Sequence, residues 1–249
     1  MGKKSRKRKQ KQHLLLVAAI TLAITVFCVA VILMLLTHFG VLPLSNPQNL
    51  DSFVTQSEIK QHDTEQLGYD LELQGVGRYA GLYLEDGSND PVSDTLMIKI
   101  KNTGEKDLQL ARVSLTYSDF TAQFEITNLP AGRSVVVLEK DRHGYTDESH
   151  LSVAITDIVF FQKQMDVSDQ TYEITGLPGA INLKNRSASD ISDDIYVYYK
   201  YIADDELYGG ITFRAKIEGG LRSGEIRQIT SNHFDPNCCI ILSVNTGEQ

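Results

Sequence analysis

Ile98-Lys99-Ile100-Lys101-Asn102-Thr103-Gly104-Glu105-Lys106-Asp107-Leu108 is followed, 83 positions later, by Ile181-Asn182-Leu183-Lys184-Asn185-Arg186-Ser187-Ala188-Ser189-Asp190-Ile191. Both stretches place an apolar residue at every second position, as a strand with one buried face does, and both then break at a turn built on Asn-x-Gly or Asn-x-Ser. Each is followed by another alternating run that ends in tyrosine, at Tyr117 and Tyr199, and then by Leu-x-x-Gly, at Leu129 to Gly132 and Leu221 to Gly224. Residue type, turn and strand order recurring together imply two related modules.

Outward from these stretches, Leu82-Tyr83-Leu84, Val113-Ser114-Leu115-Thr116-Tyr117, Phe124-Glu125-Ile126 and Val135-Val136-Val137 also read as short strands, with Asp86-Gly87 and Pro130-Ala131-Gly132 among the turns between them. Strands separated by turn residues every 8 to 12 positions or so argue for antiparallel sandwiches, and no helical run competes. The expected ectodomain is all-β, with one sandwich over residues 68–168 and a second over 169–249, joined near Asp166 to Gln170. Residues 37–67 carry Pro43 and Pro47 without sustained alternation and read as a stalk.

The strand, the Lys-Asn-x-Gly/Ser turn, the next alternating strand and Leu-x-x-Gly together resemble bacterial Ig-like modules of the cell-adhesion-related, CARDB-like kind, over about Gly68 to Val244. The resemblance implies a seven-stranded sandwich per module and a role in display or adhesion, and it brings no catalytic residue with it.

The position of these modules follows from the N-terminal part of the chain. Leu14–Leu36, LLLVAAITLAITVFCVAVILMLL, holds no charged residue, and at 1.5 Å per residue it covers roughly 34 Å, enough for a tilted membrane helix. Its Leu, Ile, Val and Phe residues favour insertion by roughly 7 kcal/mol. Lys3, Lys4, Arg6, Lys7, Arg8, Lys9 and Lys11 precede it and no basic residue follows until Lys60, so residues 1–13 are expected in the cytoplasm and the C-terminal modules outside the cell membrane. The apolar core is too long for a cleaved signal peptide, Phe27 before Cys28 does not suit a lipoprotein signal, and Arg6 does not suit N-myristoylation at Gly2. A single-pass signal-anchor of type II is the expectation.

With seven of the 24 basic residues in the tail and all 32 acidic ones beyond the span, 17 against 32 leaves the ectodomain at −15. Such a field opposes nucleic acid and anionic lipid. The sparse cysteines, among them the adjacent Cys238 and Cys239, do not build a disulfide scaffold, which suits a bacterial envelope protein. Asn185-Arg186-Ser187 matches a glycosylation acceptor only formally.

Motifs for chemistry are weak. Gly75-Val76-Gly77-Arg78-Tyr79-Ala80 imitates a dinucleotide fingerprint, but alternation resumes where a phosphate-binding helix would have to start. Asp86, Ser88 and Asp90 open like a calcium loop, yet Pro91 and Met97 replace its glycine and its bidentate glutamate. His143 and His150, with Asp147 and Glu148, could ligate a metal, and a solvated connection is the favoured reading. Cys238 and Cys239 could sense redox state, with core packing favoured beside Ile240-Ile241-Leu242. No cofactor, no metal ligand and no catalytic residue is expected.

The surface feature of most interest lies in the second module. If Ile195 and Val197 face inward, Tyr196 and Tyr198 face out, and in Ile211–Ile217 the same alternation exposes Arg214 and Lys216. Paired, these strands would present tyrosines and cations to a glycan or an envelope protein. The expected role is therefore a non-catalytic interaction or adhesion protein of the bacterial envelope, held in the lipid bilayer. An accessory subunit of a transport, secretion or division complex is the alternative, and an envelope hydrolase built from dispersed residues a further one.

Overall fold

The alternating runs form strands throughout. The computed structural model describes residues 54–60, 64–88 and 90–247, and these are all-β, with fourteen strands numbered in chain order. The expected tail and membrane span lie outside the described residues; among those described, no helix is long and apolar enough to cross a membrane. A central sheet runs in the order β1 (Val54–Lys60), β3 (Leu71–Leu82), β4 (Pro91–Asn102), β7 (Ser134–Leu138), β12 (Glu206–Ile217), β11 (Ile195–Ala203), β14 (Cys239–Thr246), with β2 (Glu65–Gly68) paired to β3. Two three-stranded sheets flank it: β6 (Thr121–Leu129), β5 (Leu108–Thr116) and β8 (Ser152–Phe160) in one, β13 (Ile226–Thr230), β10 (Ala180–Asn185) and β9 (Tyr172–Leu177) in the other.

The strand orders repeat. In the first half of the chain β3-β4-β7 and β6-β5-β8 are the two sets of neighbours; in the second half β9-β10-β13 and β12-β11-β14 are, strand for strand in the same succession. Each half thus supplies six strands in two sets of three, where the resemblance implies seven, and β1 and β2 are added to the first half alone. The edges of β7 and β12 instead pair with each other, in parallel, at Leu207↔Val135 and Tyr208↔Val136, which fuses one set from each half into the central sheet. Two open edges are removed in the process.

Period-two alternation then sends successive residues of the central sheet into two different cores. Leu96, Ile98 and Ile100 of β4 and Val135 and Val137 of β7 pack against Ala111, Val113, Phe124 and Ile126 of the first flanking sheet. Met97, Val136 and Leu138 point the other way and join Tyr199, Tyr201, Ile181, Leu183 and Ile229, the last three from the second flanking sheet. The first flanking sheet therefore covers one face over the first half, and the second covers the opposite face over the second half.

The repeated Asn turn has a physical basis. Asn102 and Asn185 are both completely buried. The Asn102 side-chain amide donates to the carbonyls of Lys106 and Leu129 while its oxygen accepts from the Gly104 N–H. Asn185 donates to Ser189 and Leu221 and accepts from Ser187. One side chain thus closes its own turn and ties it to the Leu-x-x-Gly return, with both amide hydrogens and the oxygen engaged.

The segment expected as a stalk departs from that reading at its C-terminal end, because Val54–Lys60 forms β1 and pairs antiparallel with β3 from Val54↔Gly81 to Lys60↔Val76. Polar residues hid this strand, and a glycine makes room for it. A Cβ at Gly77 would lie 2.2 Å from the Glu58 carbonyl oxygen and 2.9 Å from the Ile59 Cα. Gly77 of the false dinucleotide motif thus serves close strand approach. Gly77→Ala is expected to detach β1 while the rest of the sheet persists, seen as at least tenfold faster hydrogen exchange confined to residues 54–60 and their partners on β3. Unchanged exchange there would refute the role given to Gly77.

A buried charge clamp secures the joint between the halves. Opposite Lys200 of β11, register passes from Tyr199↔Phe213 directly to Tyr201↔Tyr208, so Gly209–Thr212 bulge out of β12. Lys200 is fully buried, and its ammonium donates to three successive carbonyls of that bulge, Gly209 (2.8 Å), Gly210 (2.7 Å) and Ile211 (2.6 Å). From the first half, the Glu85 carboxylate accepts the N–H groups of Gly210 (2.8 Å), Ile211 (3.2 Å) and Leu138 (2.8 Å). One short peptide segment is held by a cation through its carbonyls and by an anion through its amides.

Candidate functional site

Strands β11 and β12 pair as the alternation requires, with Tyr196 opposite Lys216 and Tyr198 opposite Arg214. Ile195 and Val197 are fully buried, which turns the two tyrosines onto the opposite face. Neither tyrosine belongs to either hydrophobic core. All four expected residues therefore meet on one sheet face.

Their exposure differs from the expectation. Tyr196 is only 5 % exposed, because the Arg214 guanidinium lies 5.0 Å and the Lys216 ammonium 5.7 Å from its ring centre. Tyr196 is thus a platform beneath two cations, and the surface is offered by half-buried Tyr198 and exposed Arg214. Lys216 is engaged with Asp194 at 2.8 Å and Glu218 at 3.5 Å. Its hydrogen bond to Asp194 raises the Lys216 pKa and lowers that of Asp194, so both stay charged at neutral pH.

The histidine loop is rearranged relative to the sequence expectation. His150 meets Glu65 of β2 at 3.2 Å, and the Glu148 carboxylate accepts from the Ser118 hydroxyl. His143 turns instead toward Glu139 and Asp141, whose ligand atoms together with its own lie within 4.8 Å of one another. Glu139 is the residue that sequence reading missed: its position after the apolar Val135–Leu138 run gives no sign that the chain doubles back there.

Asp86, Ser88 and Asp90 form a polar turn, in which Asp86 accepts the Ser88 N–H and both aspartates reach Arg142, at 2.8 and 3.4 Å. Cys238 and Cys239 are buried among the residues of one core. The hydrogen bond that the Cys239 thiol makes with Cys238, together with burial, pushes it well above its ordinary value, which favours the unreactive thiol form. A crevice of about 500 Å³ beside Ile191 and Leu221 is rimmed by Arg222 and by charges that are engaged with one another or with the backbone: Glu225 with Arg227 at 2.8 Å, and Asp190 with the Ser223 N–H. No family model, curated protein or solved structure matches the chain.

Proposed function

We propose that the chain is a single-pass protein of the bacterial envelope, with its basic tail in the cytoplasm, whose two Ig-like, CARDB-like sandwiches bind a protein or glycan of the envelope without catalysis. The observation that carries this reading is the face of β11 and β12 that belongs to neither core, on which Arg214 lies over Tyr196 beside Tyr198. Stacked tyrosine and guanidinium on a flat sheet present a rigid surface that combines hydrogen-bond donors with an aromatic face, the chemistry that sugar rings and acidic or aromatic protein surfaces engage. The apolar stretch Leu14–Leu36 and the basic flank before it supply the tether.

The test is quantitative co-purification from gently solubilised membranes. Full-length protein is compared with the double variant Tyr198→Ser/Arg214→Ala and with residues 1–67 alone. Partners reduced at least tenfold by the double variant, with thermal unfolding unchanged, support the surface. Partners kept by residues 1–67 would move specificity to the tail and span and replace this reading with the accessory-subunit one.

A further inference from the structure

The turn from Glu139 to His143 stands apart from the proposed interaction face and has its own chemistry. It leaves β7 at Leu138 and is fixed by backbone bonds from Glu139 N to Leu96 O, from Lys140 N to Gln123 O and from Leu96 N to His143 O. Arg142, at φ 60°, adopts the left-handed conformation, and this reversal brings residues 139, 141 and 143 together. The Tyr83 hydroxyl reaches the carbonyl of Glu139 at 3.0 Å and that of Lys140 at 2.8 Å. Arg142 itself is drawn off to Asp86 and Asp90, over the Tyr83 ring at 4.1 Å, so its charge does not occupy the space between the three side chains.

Glu139 has no exposed surface, and its carboxylate is oriented by the N–H groups of Gln123 (3.1 Å), Asp141 (2.8 Å) and His143 (2.9 Å). The His143 ring is oriented by stacking on Phe120, with centroids 4.8 Å apart. Its Nδ1 is sealed from solvent, makes no hydrogen bond and lies 3.1 Å from Glu139 Oε2. A buried ring nitrogen without a hydrogen-bond partner lacks the group that would satisfy it, and here it faces a carboxylate oxygen. Oε2 already accepts the Asp141 and His143 N–H groups, and a cation held against it would give the ring nitrogen the partner it lacks. The exposed Asp141 carboxylate provides a third ligand and the route of entry.

We infer that Glu139, Asp141 and His143 form a binding site for one divalent first-row transition cation of the Zn²⁺ class. One imidazole with two carboxylates and no thiolate suits Zn²⁺ or Mn²⁺, whereas Ca²⁺ and Mg²⁺ prefer all-oxygen shells. Metal bonds of about 2.0–2.2 Å require ligand atoms about 3.0–3.5 Å apart; Nδ1 and Oε2 at 3.1 Å already have that spacing, and the Asp141 carboxylate lies within 4.8 Å of the other ligand atoms. His150, held by Glu65, takes no part.

Full-length protein in mild detergent, stripped with a chelator, is titrated calorimetrically with ZnCl₂ at pH 7.5, and the loaded protein is studied by X-ray absorption. One equivalent is expected to bind through nitrogen and oxygen with an imidazole signature. Affinity is expected to fall at least tenfold in Asp141→Asn and at least a hundredfold in His143→Ala, and to stay unchanged in His150→Ala. Glu139 is left in place because it also anchors the turn. Failure to bind Zn²⁺ at micromolar concentration, binding that survives Asp141→Asn/His143→Ala, or sulfur in the coordination shell from Cys238 or Cys239 would each overturn the site.

Discussion

Lys200→Met is expected to destabilise the protein by about 3–5 kcal/mol, a large share of the stability a domain normally has. Methionine keeps the length and the apolar stem of lysine, so the loss is that of the amino group with its hydrogen bonds and, up to about pH 7, of its charge. Three changes add up. The carbonyls of Gly209 and Ile211 lose the donor that satisfies them inside the protein. The Glu85 carboxylate loses the positive charge that offsets its burial. The Gly209–Thr212 bulge loses the anchor that keeps it folded against β11. The carbonyl of Gly210 retains the Thr127 hydroxyl at 3.1 Å, and Glu85 retains three amide donors, which bounds the effect.

The same substitution has a signature in pH. Burial draws the Lys200 pKa down to about 7, against the pull of Glu85, and burial raises that of Glu85. From about pH 7 to the unfolded lysine value near 10.4, the unfolded chain holds a proton that the folded one releases, so this group makes stability rise with pH. Glu85 acts in the opposite sense above the ordinary glutamate value, since there the folded chain holds the extra proton. Urea unfolding at pH 7, 8 and 9 is therefore expected to show a rising contribution that Lys200→Met removes. Above about pH 10 the trend reverses, because burial pushes Tyr117 and Tyr199 up to about 12 and their ionisation favours the unfolded chain. A wild type and a variant with parallel pH profiles would refute the assignment.

The alternation around Asn102 and Asn185 made the strands and their duplication legible, since a period of two with a turn residue at a fixed place is a local property of the chain. What local pattern could not convey was which edges meet. Val135 and Leu207 pair across 72 residues, and nothing in either strand marks its partner. Lys200 sits in the run Ile195–Ala203 at a position whose neighbours in phase, Tyr196 and Tyr198, face away from the core, so its charge reads as one more solvated residue. It is buried because the first flanking sheet and the β12 bulge close over that end of the face. Tyr196 and Arg214 illustrate a related limit: alternation assigns a face correctly, but exposure depends on what the cross-strand neighbour lays over it.

Gly210→Ala is expected to be one of the most damaging glycine exchanges among the described residues. A Cβ at this position would stand 1.8 Å from the Glu125 carbonyl oxygen and 2.8 Å from Val137 Cγ1. Neither can recede, because Glu125 is paired with Arg112 in the middle of β5–β6 and Val137 is fully buried. The bulge must therefore move off β6, which gives up the Thr127 bonds to Gly210 and Thr212 and the amides that Glu85 receives from Gly210 and Ile211. Overpacking at about 1–3 kcal/mol and several buried hydrogen bonds at about 1 kcal/mol each place the loss at roughly 4 kcal/mol or more. Gly132→Ala is the internal comparison: it carries the cost of a left-handed backbone at φ 74°, which Gly210 does not have, but open space surrounds the new methyl, and it should cost about 1 kcal/mol. With no tryptophan and eleven tyrosines, tyrosine fluorescence and far-ultraviolet circular dichroism report unfolding of the full-length protein. Because the bulge belongs to the second half and its neighbours on β6 and β7 to the first, the damage falls on the joint. A single transition shifted far below that of Gly132→Ala means the halves unfold as one body. Two separated transitions mean the joint has opened while each half survives, and equal losses for the two variants would refute the close contact at Gly210.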